Sequence, residues 1–185
     1  MVRNYVEVLR GDQPVGERVA VVGAGGIGFD VSEFLLHRSV PQVPDPDSVS
    51  VSAFFAEWGV DTNYNTRGAV AGVEPERAPP ARRLWMTQRS TGKPGTDLGK
   101  TTGWIHRKTL KNHGVEMISG VTYERIDDAG LHLVVDGTPR LLEVDHVVLC
   151  TGQVPESALY DQLKERGESV HLIGGARLAS ELDAE

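Results

Sequence analysis

Hydrophobic and polar positions follow two different periods along this chain, and the change from one to the other marks its organising stretch. Residues 19–22, Val-Ala-Val-Val, form a continuous apolar run of strong β character, as expected of a short strand covered on both faces of a parallel sheet. Ile27, Val31, Phe34 and Leu35 then recur at helical spacing up to about residue 37. Between strand and helix lies a glycine cluster, residues 23–28, Gly-Ala-Gly-Gly-Ile-Gly. Ahead of this unit, residues 4–10 read as a short helix and 11–16 as a turn, so residues 1–14 are expected to be a connector.

Downstream the pattern breaks and then recovers. Pro41, Pro44 and Pro46 interrupt any regular element, and only residues 50–58 regain helical spacing before residue 81. Residues 39–81 therefore read as an irregular insertion, a length that in a compact domain signals a functional or docking loop. Phe54, Phe55 and Trp58 within it are expected to cover the domain's own core or a neighbouring domain. Residues 83–88 read as the next strand and 103–113 as a helix capped by Thr101 or Thr102. Strands are expected at 115–118, 121–126, 131–135 and 141–144, the last three forming an antiparallel meander. A buried strand at 145–152 ends in Thr-Gly, followed by a helix at 156–167, a strand at 170–173, a glycine turn at 174–176 and a last element at 178–183. The fold class is α/β, Rossmann-like, a parallel sheet plus a three-stranded antiparallel meander.

The glycine cluster carries the chemistry. Gly23, Gly25 and Gly28 fit the G-x-G-x-x-G spacing, in which the first permits a tight turn, the second admits a pyrophosphate and the third lets helix pack on strand. First-turn amides and the helix dipole then favour the phosphates. In such a fold the second strand ends beside the adenine ribose. An acid there selects NAD, whereas an arginine pairs with the 2′-phosphate of NADP. Arg89 stands at that place, with Ser90 and Lys93 able to reinforce it, and predicts NADPH. Asp47 has the usual spacing for an NAD-type acid, but the prolines before it cannot belong to a central strand. Residues 99–102, Gly-Lys-Thr-Thr, imitate the end of a P-loop, yet Pro94 stands where the first glycine is required.

Charge refines this picture. The 185-residue chain carries a net charge of −7, which argues against nucleic-acid binding over its whole surface. Yet 8 of its 19 basic residues fall between Arg82 and His113, a basic island that suits a local anionic ligand. Arg107, Lys108 and Lys111 within it read as a solvated helix face. No apolar run approaches membrane length and the first residues are polar, so a cytoplasmic protein without membrane contact is expected. The single cysteine, Cys150, excludes an intrachain disulfide and reads as a buried strand residue rather than a nucleophile.

Four segments resemble a known family. GAGGIGFD at 23–30, GKTTGWIHR at 99–107, HVVLCTGQVP at 146–155 and VHLIGGARLASELDA at 170–184 are similar to the C-terminal part of NADPH-dependent 2,4-dienoyl-CoA reductases. These are flavin oxidoreductases that join an Old Yellow Enzyme-like barrel to glutathione-reductase-like nucleotide domains. The resemblance implies that residues 15–154 are an NADPH domain and 155–185 a returning segment of an FAD domain. It implies that Gly23, Ala24, Gly25, Gly26, Ile27 and Gly28 hold the pyrophosphate and that Arg89, Ser90 and Lys93 hold the 2′-phosphate. Thr151 and Gly152 would border the nicotinamide-side ribose, and Gly174 and Gly175 would touch FAD. Trp104 would face the nicotinamide or the flavin domain, or else join the core. FMN, a 4Fe-4S cluster and the flavin-bearing domains would belong to the rest of the enzyme, and the fragment alone would bind NADPH without turnover. The competing expectation is a non-enzymatic NADP(H) sensor whose loop at 39–81 docks a partner.

Overall fold

The computed structural model describes residues 1–36 and 50–179. His37, the three prolines, Asp47 and the end of the 178–183 element lie outside them. Five parallel strands form the main sheet in the order β1-β8-β2-β3-β4: β1 Val2–Asn4, β2 Arg18–Val22, β3 Arg83–Thr87, β4 Glu116–Ile118 and β8 His146–Leu149. Helices α1 (Tyr5–Arg10), α2 (Gly26–Leu36) and α4 (Gly103–Asn112) connect or flank them. Val2–Asn4, ahead of the expected helix, thus adds an edge strand to the sheet, paired with β8.

Strand alternation divides the core into two layers. Val19 and Val21 of β2, Leu84 and Met86 of β3 and Val148 of β8 face a cluster containing Phe29, Val31 and Leu35 of α2, Leu110 of α4 and Val8 of α1. Ala20, Val22, Trp85 and Val147 face the other way. There they meet Leu131, Leu133 and Leu142 of the antiparallel sheet β5-β6-β7, which spans Val121–Asp127, Gly130–Val135 and Thr138–Leu142. Fully burying a side chain such as Phe29 or Leu133 contributes about 1.5–3 kcal/mol, so both layers contribute to stability.

The meander begins its last strand earlier than its apolar run suggests. Asp136 and Gly137, at φ 49° and 78°, supply the two left-handed positions of a tight hairpin turn, which lets pairing start at Thr138. Pro139 is tolerated because β7 is an edge strand. Arg140 closes an ion pair of 2.7 Å with Glu116, tying β7 to β4.

Three expectations are corrected. Residues 170–173 form no strand: the run finds no ladder among the described residues, and Ile173 is 77% exposed. Of the two places expected for the aromatics of α3 (Val51–Trp58), capped by Ser50, only the domain's own core is corrected: the helix has no buried residue, and Phe54 contacts Phe55 and Trp58 at 6.0 and 6.3 Å between ring centres. Helix α4 begins after Thr102, whose side chain makes no capping bond, and Thr101 lies in the turn before it. Helix α5 (Ala158–Glu165) likewise has no buried residue.

Candidate dinucleotide-binding site

Strand β2 is central, with β3 on one side and β8 on the other, so the chain reverses its winding direction between β2 and β8. Ligands of open α/β sheets bind outside the strand ends at such a reversal. The glycine bend stands there. Gly23 has φ +116°, and a Cβ on it would lie 2.5 Å from the Cys150 carbonyl oxygen. A Cβ on Gly28 would lie 2.0 Å from the Gly23 carbonyl oxygen. The first and third glycines are therefore demanded by backbone packed on backbone. The Gly23 N–H donates to the Thr87 carbonyl at 2.9 Å, and the first helical turn closes with Phe29 N–H donating to the Gly25 carbonyl at 3.1 Å. Gly25 itself is exposed. Ala24 and Ile27 pack against the helix-side core, so they anchor the bend from beneath.

The second half of the site follows β3. Thr87 is the register partner of Val22 and accepts from Gly23, so Arg89, two residues on, leaves the sheet beside the glycine bend. Arg89, Ser90 and Lys93 are all exposed. Behind them Thr87, fully buried, shares a 2.8 Å hydrogen bond with the Tyr123 hydroxyl. Burial raises the Tyr123 pKa above its ordinary 10.0, with Thr87 and Arg89 opposing the shift. The turn is braced by Gln88, whose side-chain amide donates to the carbonyls of Ser90 at 3.1 Å and Gly92 at 2.6 Å. Sequence reasoning placed Gln88 only as the end of a strand; a polar residue closing an apolar run was its one visible signal.

At the end of β8, Cys150 N–H donates to the Val22 carbonyl at 2.8 Å. Burial pushes its thiol up to about 12, so it is no nucleophile near neutral pH. The Thr151 methyl lies 3.3 Å from where a Gly23 Cβ would be, so Thr151 abuts the glycine bend. Gly152 follows at φ +70° in open surroundings. Gly174 and Gly175 are likewise exposed, with nothing within 4 Å of an added Cβ. Trp104, for which a core place was one expectation, is 57% exposed at the start of α4.

The basic island separates into two populations. Arg82 donates to the carbonyls of Gly16 and Leu35, and Arg107 to that of Gly95 at 2.6 Å, so these guanidinium groups secure loops. Arg107 is in this respect a packing residue rather than part of a solvated face, whereas Lys108 is exposed. Residues 99–103 form a turn in which Thr102 and Gly103 N–H groups donate to the Gly99 carbonyl. A cavity of about 380 Å³ lined by Glu17, Arg18, Arg82 and Arg83 lies at the amino ends of β2 and β3, the edge opposite the glycine bend. Among the described residues no cluster of His, Cys, Asp or Glu could hold a metal ion, and no helix is long and apolar enough to cross a membrane.

A glycine bend at the reversal of a parallel sheet, with a separate antiparallel meander packed beneath, defines a dinucleotide-binding α/β domain. The chain belongs to the pyridine nucleotide-disulphide oxidoreductase family, which it matches over residues 3–171. Among curated proteins it is 23% identical to a metal reductase of Desulforamulus reducens over 170 residues, covering 92% of this chain but 23% of that protein. It is 31% identical to a mercuric reductase of Bacillus cereus over 52 residues, 26% of this chain and 8% of that one. The chain thus spans about a quarter of the length of the metal reductase. Solved structures of the same fold include a 2-naphthoyl-CoA reductase, at TM-score 0.57 and 17% identity over 86% of this chain and 18% of that one. Histamine dehydrogenase from Rhizobium sp. 4-9 matches at TM-score 0.53 and 13% identity, over 90% of this chain and 20% of that one.

Proposed function

We propose that this chain is the NADPH-binding part of a flavin-dependent oxidoreductase that reduces 2,4-dienoyl-CoA thioesters. Residues 15–154 are the NADPH domain and 155–185 a segment of the FAD domain. The observation that carries the cofactor reading is the adjacency of Arg89 to the glycine bend: the Gly23 N–H donates to the carbonyl of Thr87, two residues before Arg89 on the neighbouring strand. The cradle fits a pyrophosphate, because the volume that side chains on Gly23 and Gly28 would need is filled by backbone and the exposed Gly25 sits at the amino end of α2, where the helix dipole favours phosphate.

NADPH, when bound, supplies the hydride. The protein's part is to bind and orient: the 23–28 bend holds the pyrophosphate, Arg89, Ser90 and Lys93 hold the 2′-phosphate, and Thr151 and Gly152 border the nicotinamide-side ribose. The flavin and cluster fit this chain less well. Gly174 and Gly175 would offer FAD a single exposed turn, and one half-buried cysteine cannot make a 4Fe-4S cluster, which takes a set of thiolates. FAD, FMN and the cluster therefore fall to the flavin-bearing domains of the same enzyme, and the dienoyl-CoA reading rests on the four sequence segments. The chain alone binds NADPH without turnover.

The test compares NADPH and NADH titrations of the full chain before and after Arg89→Glu. Selective loss of NADPH supports the reading; equal loss of both cofactors overturns it. For the substrate, adding the flavin-bearing portion should restore NADPH-dependent reduction of a dienoyl-CoA. Restored flavin reduction with no turnover of that thioester would remove the substrate assignment alone.

A further inference from the structure

We propose that Gln88 is a positioning residue for the 2′-phosphate, its side-chain amide holding the turn that carries Arg89, Ser90 and Lys93 in the ligand-ready shape. The inference rests on the NADPH reading above and adds to it a residue that touches no ligand. One amide nitrogen donates to the carbonyls of Ser90 and Gly92, at 3.1 and 2.6 Å. Both partners are backbone oxygens that can only accept, so chemistry itself sets which end of the amide faces them.

Gln88 is well placed for this task because its own backbone is fixed. Its N–H donates to the Ile118 carbonyl at 2.9 Å and its carbonyl receives Val121 N–H at 3.1 Å, which ties it to the β4–β5 junction. From the same junction Gly120, at φ +68°, donates its N–H to the Ser90 carbonyl at 2.8 Å. Ser90 therefore has its carbonyl bound from two directions. The half-buried side chain of Gln88 carries that rigidity outward to Gly92, one residue short of Lys93.

Two consequences favour an anion. Carbonyl oxygens repel phosphate, and the amide keeps those of Ser90 and Gly92 engaged. An exposed turn of Ser, Thr and Gly would otherwise have to be ordered by the ligand, at the expense of affinity. NADH, which lacks the 2′-phosphate, draws nothing from this turn.

The experiment titrates the full chain with NADPH, NADH and 2′,5′-ADP, comparing the natural protein with Gln88→Met, Gln88→Glu and Arg89→Glu. Methionine keeps the length and removes both donors; glutamate keeps the shape and sets a carboxylate against two carbonyls. We expect Gln88→Met to weaken NADPH and 2′,5′-ADP roughly 10-fold. NADH should stay within about twofold and the melting temperature close to that of the natural chain, with Gln88→Glu at least as severe. A purely structural role would weaken NADH and NADPH together in both variants, and that result overturns the proposal. An unchanged NADPH-to-NADH ratio in the Gln88 variants, with the ratio abolished by Arg89→Glu, overturns it while leaving the NADPH reading intact. A natural chain with no preference between the cofactors overturns both.

Discussion

The bend after β2 and the turn after β3 are neighbours on one sheet edge, but different forces hold them. At the bend, excluded volume decides: the Cys150 and Gly23 carbonyls occupy the space that side chains on Gly23 and Gly28 would need. At the turn, directional bonds decide: Gln88 and Gly120 pin the carbonyls while charged side chains stay in solvent. A site built this way separates its two duties. Under the NADPH reading proposed above, the bend would accept any dinucleotide, because every one has a pyrophosphate, and the turn would distinguish between them.

The sharpest way to test that separation is at the bend. Gly28→Ala puts a methyl 2.0 Å from a backbone oxygen that no rotamer change can move. It should cost about 3 kcal/mol or more in stability, read by chemical denaturation, and should lower NADPH and NADH affinity together. Loss of one cofactor only would show that bend and turn are not independent. Next comes Arg89→Glu, which exchanges attraction for repulsion at an exposed group. About 2 to 4 kcal/mol of NADPH affinity should go, with NADH little changed, as measured by calorimetric titration.

A smaller effect is expected beneath the turn. Tyr123→Phe removes the partner of the buried Thr87 hydroxyl, leaving it a 3.4 Å contact to the Val21 carbonyl. About 1 kcal/mol of stability should be lost in denaturation, without change in cofactor preference. A shift in preference would mean that the meander tunes the site.

The amino edge of the sheet responds to pH instead. Burial first, and then the Arg3 guanidinium and the chain amino terminus, hold the His146 pKa below its ordinary 6.5. Its Nδ1 accepts the Gly16 N–H at 3.0 Å, so the folded ring is neutral. The unfolded chain takes up a proton first, so this contribution to stability is complete above about pH 6.5 and declines as pH falls through the lower folded value. A fall in the hydrogen-exchange protection factor of the Gly16 amide on mild acidification is the expected sign. The neighbouring Asp145, held low by Arg18, and Asp127, lowered to about 2 chiefly by its bond from His132, lose their contributions only in much stronger acid. The smallest expected response is at Cys150, where alkylating reagents should react measurably only after denaturant exposes the thiol.

How much of this could be read beforehand differs by element. Val19 to Val22, the glycine cluster and Ile27 to Leu35 declared a strand, a bend and a helix, because period and backbone freedom are properties of the residues themselves. The meander was legible for the same reason, and its early third strand was missed because two left-handed residues shortened the turn. The 170–173 run misled, since apolar residues make a strand only when a neighbouring ladder receives them. Trp104 could not be placed because a lone aromatic at a helix start has no period of its own.

Local sequence thus determined the strand β2, the helix α2 and the meander in outline, where the chain had to bend between β2 and α2, and which side chains carried charge. Tertiary structure alone decided that the Cys150 carbonyl, far along the chain, closes over Gly23, that Thr87 links the bend to Arg89, and that Gln88 turns its amide back onto its own loop. The first two need a partner fixed by the pairing of strands remote in sequence, and the third needs the Gln88 backbone held by Ile118 and Val121; no periodicity within a single segment encodes the distance to another.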